Sequence, residues 1–452
     1  RRLLADIEQA SRDAHLVYQR DGVDEAVRVL PLPLTMLPDQ LAYLHSVTLS
    51  LHGALKRLPD LYFGDQQVRA ALRLPDAEER WLRECWGDSV REHNCVVGRH
   101  DAVVDLTSAV WKSTLHFVEP NMGGIGGIHL LPGAEGVIER LVLGRLHDSD
   151  GRLQLERGHD MRNLLAQEML DHLEAIGRPA GRICFVEPKY SGSGPDEQED
   201  IARHFHDQLG IAVCHADPTE LELRGEDVFY EGEAIDLAYR DYSVEDLEVL
   251  EADGGDVGPM RALFLQNRMV SSIAAELDQK SCFEVFTEPA LAARHFTAAE
   301  RQLFRRHVPW TRLLYDRESA LPGGERGDLL EYVRHERERL VLKPNRAWGG
   351  EGVAVGPTLT QGEWESRLDA VLAGPERYVA QQLVAIPVHE FPVLGADGRV
   401  HVEPFYTVMG FAPSTYGMPI LGRASQKQVV NVAQRGGLCV VVVGHPPPRI
   451  AL

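Results

Sequence analysis

From Met161 to Asp217 the sequence switches repeatedly between two periodicities, and this alternation constrains the fold more than any other feature. "MRNLLAQEMLDHLEAIG" carries apolar residues at helical spacing, "RICFVEPK" is a short strand-type run, "DEQEDIARHFHDQLG" is helical again and "IAVCHAD" returns to strand. Strands separated by helices of this length pair in parallel, each helix crossing over a face of the sheet. A small α/β domain with a parallel sheet is therefore predicted over about 157–265.

The flanks read differently. Residues 1–92 are expected to be an N-terminal helical segment, because "PDQLAYLHSVTLSLHGALKRL" has leucines three and four apart and "PDAEERWLRECW" opens with an acidic first turn. Residues 93–156 read as strands around "CVVGRHDAVVDL" and "WKSTLHFVEPN". In 266–452 a helical run, "GPMRALFLQNRMVSSIAAELDQKSCFEVF" (beginning just before it, at Gly258), gives way to strands from Val341 onward, with one helix at "GEWESRLDAVLA". A chain of 452 residues calls for two to three domains at roughly 100 to 200 residues each.

Charge and cysteine usage exclude whole classes. A formal net charge of −21 argues against a broad basic surface, so no nucleic-acid partner is expected and any phosphate site must be local. No apolar run approaches the ~20 residues that span a bilayer, so no membrane partner is expected; "LCVVVVG" fits a buried strand. Six cysteines, far apart and without a C-x-x-C pair, read as reduced thiols of a cytoplasmic protein. The N-terminus mixes acidic and basic residues at helical spacing and does not read as a signal peptide.

Five stretches carry candidate chemistry. In "VLKPNRAWGGEGVAVG", Lys343 precedes Gly349, Gly350 and Gly352, which lie between two strand-like ends. The glycines are either a plain hairpin turn or a loop whose backbone N–H groups approach an anion. In "GRHDAVVDLTSAVWKSTLHFVEPNMGG", residues two apart on a strand share a face, so Glu119 and Asn121 project together, as do Arg99 and Asp101. Antiparallel pairing would gather Asp101, Glu119 and Asn121 into a set of oxygen donors suited to Mg²⁺; the alternative is a solvated face with an Arg–Asp pair. Lys280, after a long helical run, is a surface lysine or a site residue. Gln381 and Gln382 in "ERYVAQQLV" are edge-strand polar residues or part of a hinge. Arg423 precedes Asn431 by eight residues in "GRASQKQVVNVAQRGG". His100, His116 and His129 share no helical ligand spacing and are read as structural.

Taken together, these stretches resemble the ATP-grasp superfamily, and their order resembles its circularly permuted members, the group that includes the synthetase domain of glutathionylspermidine synthetase. The resemblance covers about residues 93–445. It implies an α/β (α+β) protein with a circularly permuted ATP-grasp fold, a small parallel α/β domain and an N-terminal helical layer. It gives Lys280 and Lys343 to the phosphates of ATP, the 349–352 loop to a lid, and Gln381, Gln382 and Leu383, through Val384, to the adenine-side hinge. Asp101, Glu119 and Asn121 would bind Mg²⁺, with Asn431 a further metal or phosphate contact. Arg423, with Arg99, would stabilise charge on the transferring group. The implied activity is an ATP- and Mg²⁺-dependent carbon–nitrogen ligase that joins a carboxylate to an amine through an acyl phosphate and releases ADP. Two rivals are a small-molecule kinase and a nucleotide-binding regulatory protein. The acceptor pocket is expected among the 122–135 loop, "PKYSGSG" and Tyr239-Arg240, with a homodimer as an open assembly.

Overall fold

The computed structural model describes residues 1–445 except 21–22, 147–153, 190–196, 348, 396, 431 and 433–435. Its parallel sheet runs in the order Met269–Val270, Leu237–Arg240, Ile183–Val186, Val213–Ala216, and every neighbouring pair is parallel, as the alternation predicts. The two inner strands are buried along their whole length, which is why they read as apolar runs without alternation. Helices Met161–Ala175 and Gln198–Leu209 flank them.

Two sheets, antiparallel except at the Arg28–Val29 edge of the second, position the candidate residues. One has the order Thr311–Leu313, Tyr378–Gln382, Leu340–Pro344, Ala354–Val355. Helices Leu329–His335 and Gln361–Ala373 pack on it through Val333, Trp364 and Leu368, around a core that also holds Leu340 and Leu342. The other has the order Arg28–Val29, Gly437–Leu438, Ile420–Ser425, Val400–Phe411, Arg99–Val103, His116–Asn121, with Val388–Leu394 paired to the long Val400–Phe411 strand. Strands near residue 100 and strands beyond 400 are thus neighbours in one sheet.

Secondary-structure expectations fail in three places. Within 93–156, read as strands, Trp111–Thr114 and Leu130–Ile138 are helices. Residues 17–36 are not helical: Val17–Arg20 and Val23–Ala26 form a hairpin, Arg28–Val29 pairs in parallel with Gly437–Leu438, and Leu34–Met36 pairs in parallel with Val441–His445. The partners of Arg28–Val29 and Leu34–Met36 lie some four hundred residues away, where local periodicity carries no information. The helical run after Gly258 is also broken. The helix ends at Leu265, Met269–Val270 adds an edge to the parallel sheet beside Ala238 and Tyr239, and short helices resume at Ile273 and Cys282. Strand pairing there overrides local helix preference.

Candidate functional site

The two antiparallel sheets face each other across a cleft with about 930 Å³ of empty space, counted to its open mouth. Val341, Val353, Val355, Leu383, Val384, Ile386 and Val408 form an apolar slot. Asp101, Glu119, Lys280, Lys343 and Arg423 form a charged region beside it. Of the residues singled out in the sequence, Gly350, Gln381 and Gln382 also line the cleft; Arg99, Asn121 and Gly352 are not among its described lining residues. Asn431 lies outside the described residues.

The carboxylates meet by strand register. Asp101 is opposite Glu119, and Arg99 opposite Asn121, with a bulge between Asp101 and Ala102. The antiparallel pairing expected of these strands is present, and the solvated-face reading does not hold for Arg99 and Asp101, both buried. Arg99 Nε lies 3.0 Å and Arg423 Nη2 2.6 Å from Asp101 Oδ1. Burial by itself would raise the Asp101 carboxyl, but Arg423 and Arg99 hold it far below the usual carboxylate range. Gly410, opposite Asp101, leaves room for this clasp, since a Cβ there would sit 2.6 Å from Arg99 Cδ. Asn121 donates through Nδ2 to the Arg99 carbonyl at 3.0 Å. Arg423 Nε is buried without a hydrogen-bond partner among the described residues.

The lysines enter from the opposite wall. Lys280 Nζ lies 2.8 Å from Glu119 Oε1 and donates to the Ala347 carbonyl at 2.7 Å, so it is a buried site residue and not a surface lysine. Lys343 Nζ donates to Gln381 Oε1 at 2.8 Å and to the Val118 carbonyl at 3.3 Å. Burial, reinforced by the nearby Lys280, lowers its pKa to about 8 against the opposing pull of Glu119 and Asp101. Arg99, Arg423, Lys280 and Lys343 thus stand around Asp101 and Glu119, with Glu351 of the turn also lining the cleft.

The glycine stretch is a hairpin and also part of the cleft. Val341 pairs with Val355 and Leu342 with Ala354, while Ala347, Gly350 and Glu351 of the turn line the cavity. Gly349, Gly350 and Gly352 have φ of 75°, 75° and 71°, conformations glycine adopts without steric cost. A Cβ on Gly350 would lie 2.3 Å from Val429 Cγ1, so the turn closes against the segment that follows Arg423.

The paired glutamines divide. Tyr378–Gln382 is an inner strand, and Gln381 points inward to Lys343, which overturns the edge-strand reading. Gln382 is exposed at the rim, its N–H donating to the Trp310 carbonyl at 2.8 Å, while the Leu383 N–H donates to the Arg339 carbonyl at 2.8 Å. The Leu383 N–H is therefore already engaged.

Sequence reasoning missed Asn345. Its Oδ1 accepts the Ser281 N–H at 2.8 Å, its Nδ2 donates to Gln279 Oε1 at 3.0 Å, and its carbonyl accepts the Lys280 N–H at 3.0 Å. The signal was its place two residues after Lys343. Tyr239 and Arg240, expected near an acceptor pocket, are both buried, and the Arg240 guanidinium lies 2.6 Å from Glu276 and donates to the carbonyls of Tyr242, Ser271 and Ser272. In the 122–135 loop, Asp278 accepts the N–H groups of Met122 and Gly123, and Glu197 those of Gly127, His129 and Leu130. Residues 190–194 of "PKYSGSG" lie outside the described residues. Among those described, no three His, Cys, Asp or Glu side chains form a metal-binding group, and no helix is long and apolar enough to cross a membrane.

Comparison with known proteins gives one curated relative and a fold. No protein-family profile matches the chain. The ATP-grasp enzyme ankG of Aspergillus thermomutatus is 30% identical over 165 residues, which are 33% of this chain and 30% of that protein. The chain thus spans under a third of the length of this relative. A glutathione synthetase-like effector from Globodera pallida shares the fold, at a TM-score of 0.63 and 12% identity over 97% of this chain and 96% of its own. A putative γ-glutamylcysteine synthetase from Methylobacillus flagellatus aligns over 90% of each chain at 12% identity, with a TM-score of 0.39 that carries no argument.

Proposed function

We infer that this chain, which resembles an ATP-grasp enzyme in sequence and a glutathione synthetase-like effector in fold, is an ATP- and Mg²⁺-dependent ligase joining a carboxylate to an amine. The observation that carries this reading is the gathering of Lys280, Lys343 and Arg423 around Asp101 and Glu119 beside an apolar slot. The slot suits a flat purine, with the peptide groups near 381–384 at its edge. The cationic end suits a polyphosphate. The order of the site residues, carboxylates first, lysines next and Arg423 last, is that of a circularly permuted arrangement, which belongs to this proposal.

The donor chemistry fits Mg²⁺. Asp101 and Glu119 offer carboxylate oxygens on adjacent strands, and Asn121, two residues along from Glu119, keeps its amide oxygen for a ligand while its Nδ2 is bonded. These residues would hold the ion, with Asn431 proposed as a further contact; when bound, it supplies charge neutralisation for the phosphates.

The chemistry asks for little acid or base catalysis. A free carboxylate is a poor electrophile with a poor leaving group. Attack of its oxygen on the γ-phosphorus, with cleavage of the bond to the β,γ-bridging oxygen, gives an acyl phosphate and ADP. The amine then attacks the acyl carbon, phosphate leaves, and the ammonium proton passes to solvent. Lys280 and Lys343 would orient the phosphates and Arg423 would stabilise the charge that develops during transfer.

An ADP-release screen with MgATP over amino acids, peptides and polyamines tests the reading. A pair of compounds that releases ADP only when both are present is the expected result. ADP released with one acceptor alone, leaving a stable phosphorylated product, would make the protein a phosphotransferase instead.

A further inference from the structure

Two buried amides stand behind the two lysines, and neither brings a charge. Gln381, 1% exposed, accepts Lys343 Nζ through Oε1 and donates through Nε2 to Thr311 Oγ1 at 3.0 Å and the Val118 carbonyl at 3.4 Å. These bonds fix the rotamer of the amide and so the direction of the ammonium. Asn345, also 1% exposed, bonds to three consecutive residues, 279, 280 and 281, from its place two residues beyond Lys343. It ties the backbone of Lys280 to the strand that carries Lys343.

The choice of amide over carboxylate is informative. A glutamate at 381 would fill the same space and form a stronger, charge-assisted bond to Lys343. It would also cancel the charge of that lysine, which among the described residues donates to two neutral oxygens. Lys280 differs, since Glu119 already faces it. A protein using Lys343 only as a structural strut gains from a carboxylate; one that presents it to an anion does not.

We propose that Gln381 and Asn345 are positioning residues for a polyphosphate: together they hold the two ammonium groups at a fixed separation, and neither cancels their charge. The proposal rests on the nucleotide reading of the site. Its distinguishing consequence is that each substitution acts on the phosphates and not on the purine.

Isothermal titration calorimetry of the full chain with MgATP and with adenosine tests it, with folding followed by circular dichroism. Gln381→Glu is expected to stay folded, to weaken MgATP at least about tenfold, the equivalent of one lost charge-assisted contact, and to weaken adenosine, which would meet the peptide groups near 381–384 rather than this side chain, far less. Asn345→Ala is expected to show the same ATP-selective loss. If Gln381→Glu does not fold, Gln381→Met, which keeps the bulk and drops the acceptor, should give that loss. Unchanged MgATP affinity, or parallel loss of MgATP and adenosine, overturns the proposal. A parent protein that binds no MgATP would overturn the nucleotide reading itself.

Discussion

Lys280 joins the two walls of the cleft: its ammonium lies 2.8 Å from Glu119 Oε1 on one wall and 2.7 Å from the Ala347 carbonyl on the other. The contact to Ala347 ties the glycine turn to the carboxylate strands, so a ligand that competes for Lys280 also acts on the turn. Glu119→Gln keeps the shape and removes the charge. It should leave the fold intact and lower Mg²⁺-dependent turnover by at least about a hundredfold, the scale of losing one group aligned on developing charge. Native turnover by this variant at saturating Mg²⁺ would remove Glu119 from the site.

Lys343 titrates where assays are made. Burial lowers its pKa to about 8, so it carries its charge below that pH and loses it above. The apparent affinity for MgATP should therefore fall as pH rises through about 8. Stability moves the other way. The folded lysine releases its proton before the unfolded one, so the penalty of burying the charge, present below about 8, is relieved between there and the ordinary value of 10.5. Nucleotide affinity that stays flat from pH 7 to 9 would contradict the assigned role.

Gly350 is required by both its backbone and its neighbour. At φ 75° a side chain is strained, and its Cβ would meet Val429 Cγ1 at 2.3 Å. Gly350→Ala should raise the KM for ATP several-fold, and adding Val429→Ala should recover part of that loss by removing the clash while leaving the backbone strain. A double variant no better than the single one would show that the turn does not close on Val429.

Behind Asp101, two histidines share one buried site. His52 Nδ1 lies 3.0 Å from His100 Nε2, and the other ring nitrogen of His52 lies 3.0 Å from the Val96 carbonyl. Burial pushes His52 down to about 4 and His100 well below its ordinary value. Both are depressed, so the stability present above the unfolded value of about 6.5 is lost as pH falls toward 4. For His52 the loss reaches about 3 kcal/mol only where the folded ring is protonated too, below about 4. Urea melts from pH 7 to 4.5 should show a shallower decline for His52→Gln than for the parent; parallel declines would refute this assignment.

Much of this was legible in the sequence, for local reasons. The parallel sheet follows from apolar runs separated by helical crossovers, and the Asp101–Glu119 pairing from the two-residue period of strands. Gln381 was not legible, because a glutamine in a strand reads as an edge residue until the neighbours on both sides are known. The Asn345 side chain and carbonyl bond to Gln279, Lys280 and Ser281, about sixty-five residues away in the chain. Arg28–Val29 and Leu34–Met36 are set by partners at the far end of the sequence, and the Met269–Val270 strand by the edge of a sheet already formed.

The central claim is that a carboxylate oxygen passes to phosphate. Once the screen has given a carboxylate and amine pair, the carboxylate labelled with oxygen-18 should be turned over with MgATP and the released phosphate analysed by ³¹P NMR. One labelled oxygen in inorganic phosphate, with ADP as the nucleotide product, is the predicted result. Unlabelled phosphate, or AMP and pyrophosphate as products, would contradict the acyl-phosphate mechanism and the ligase reading built on it.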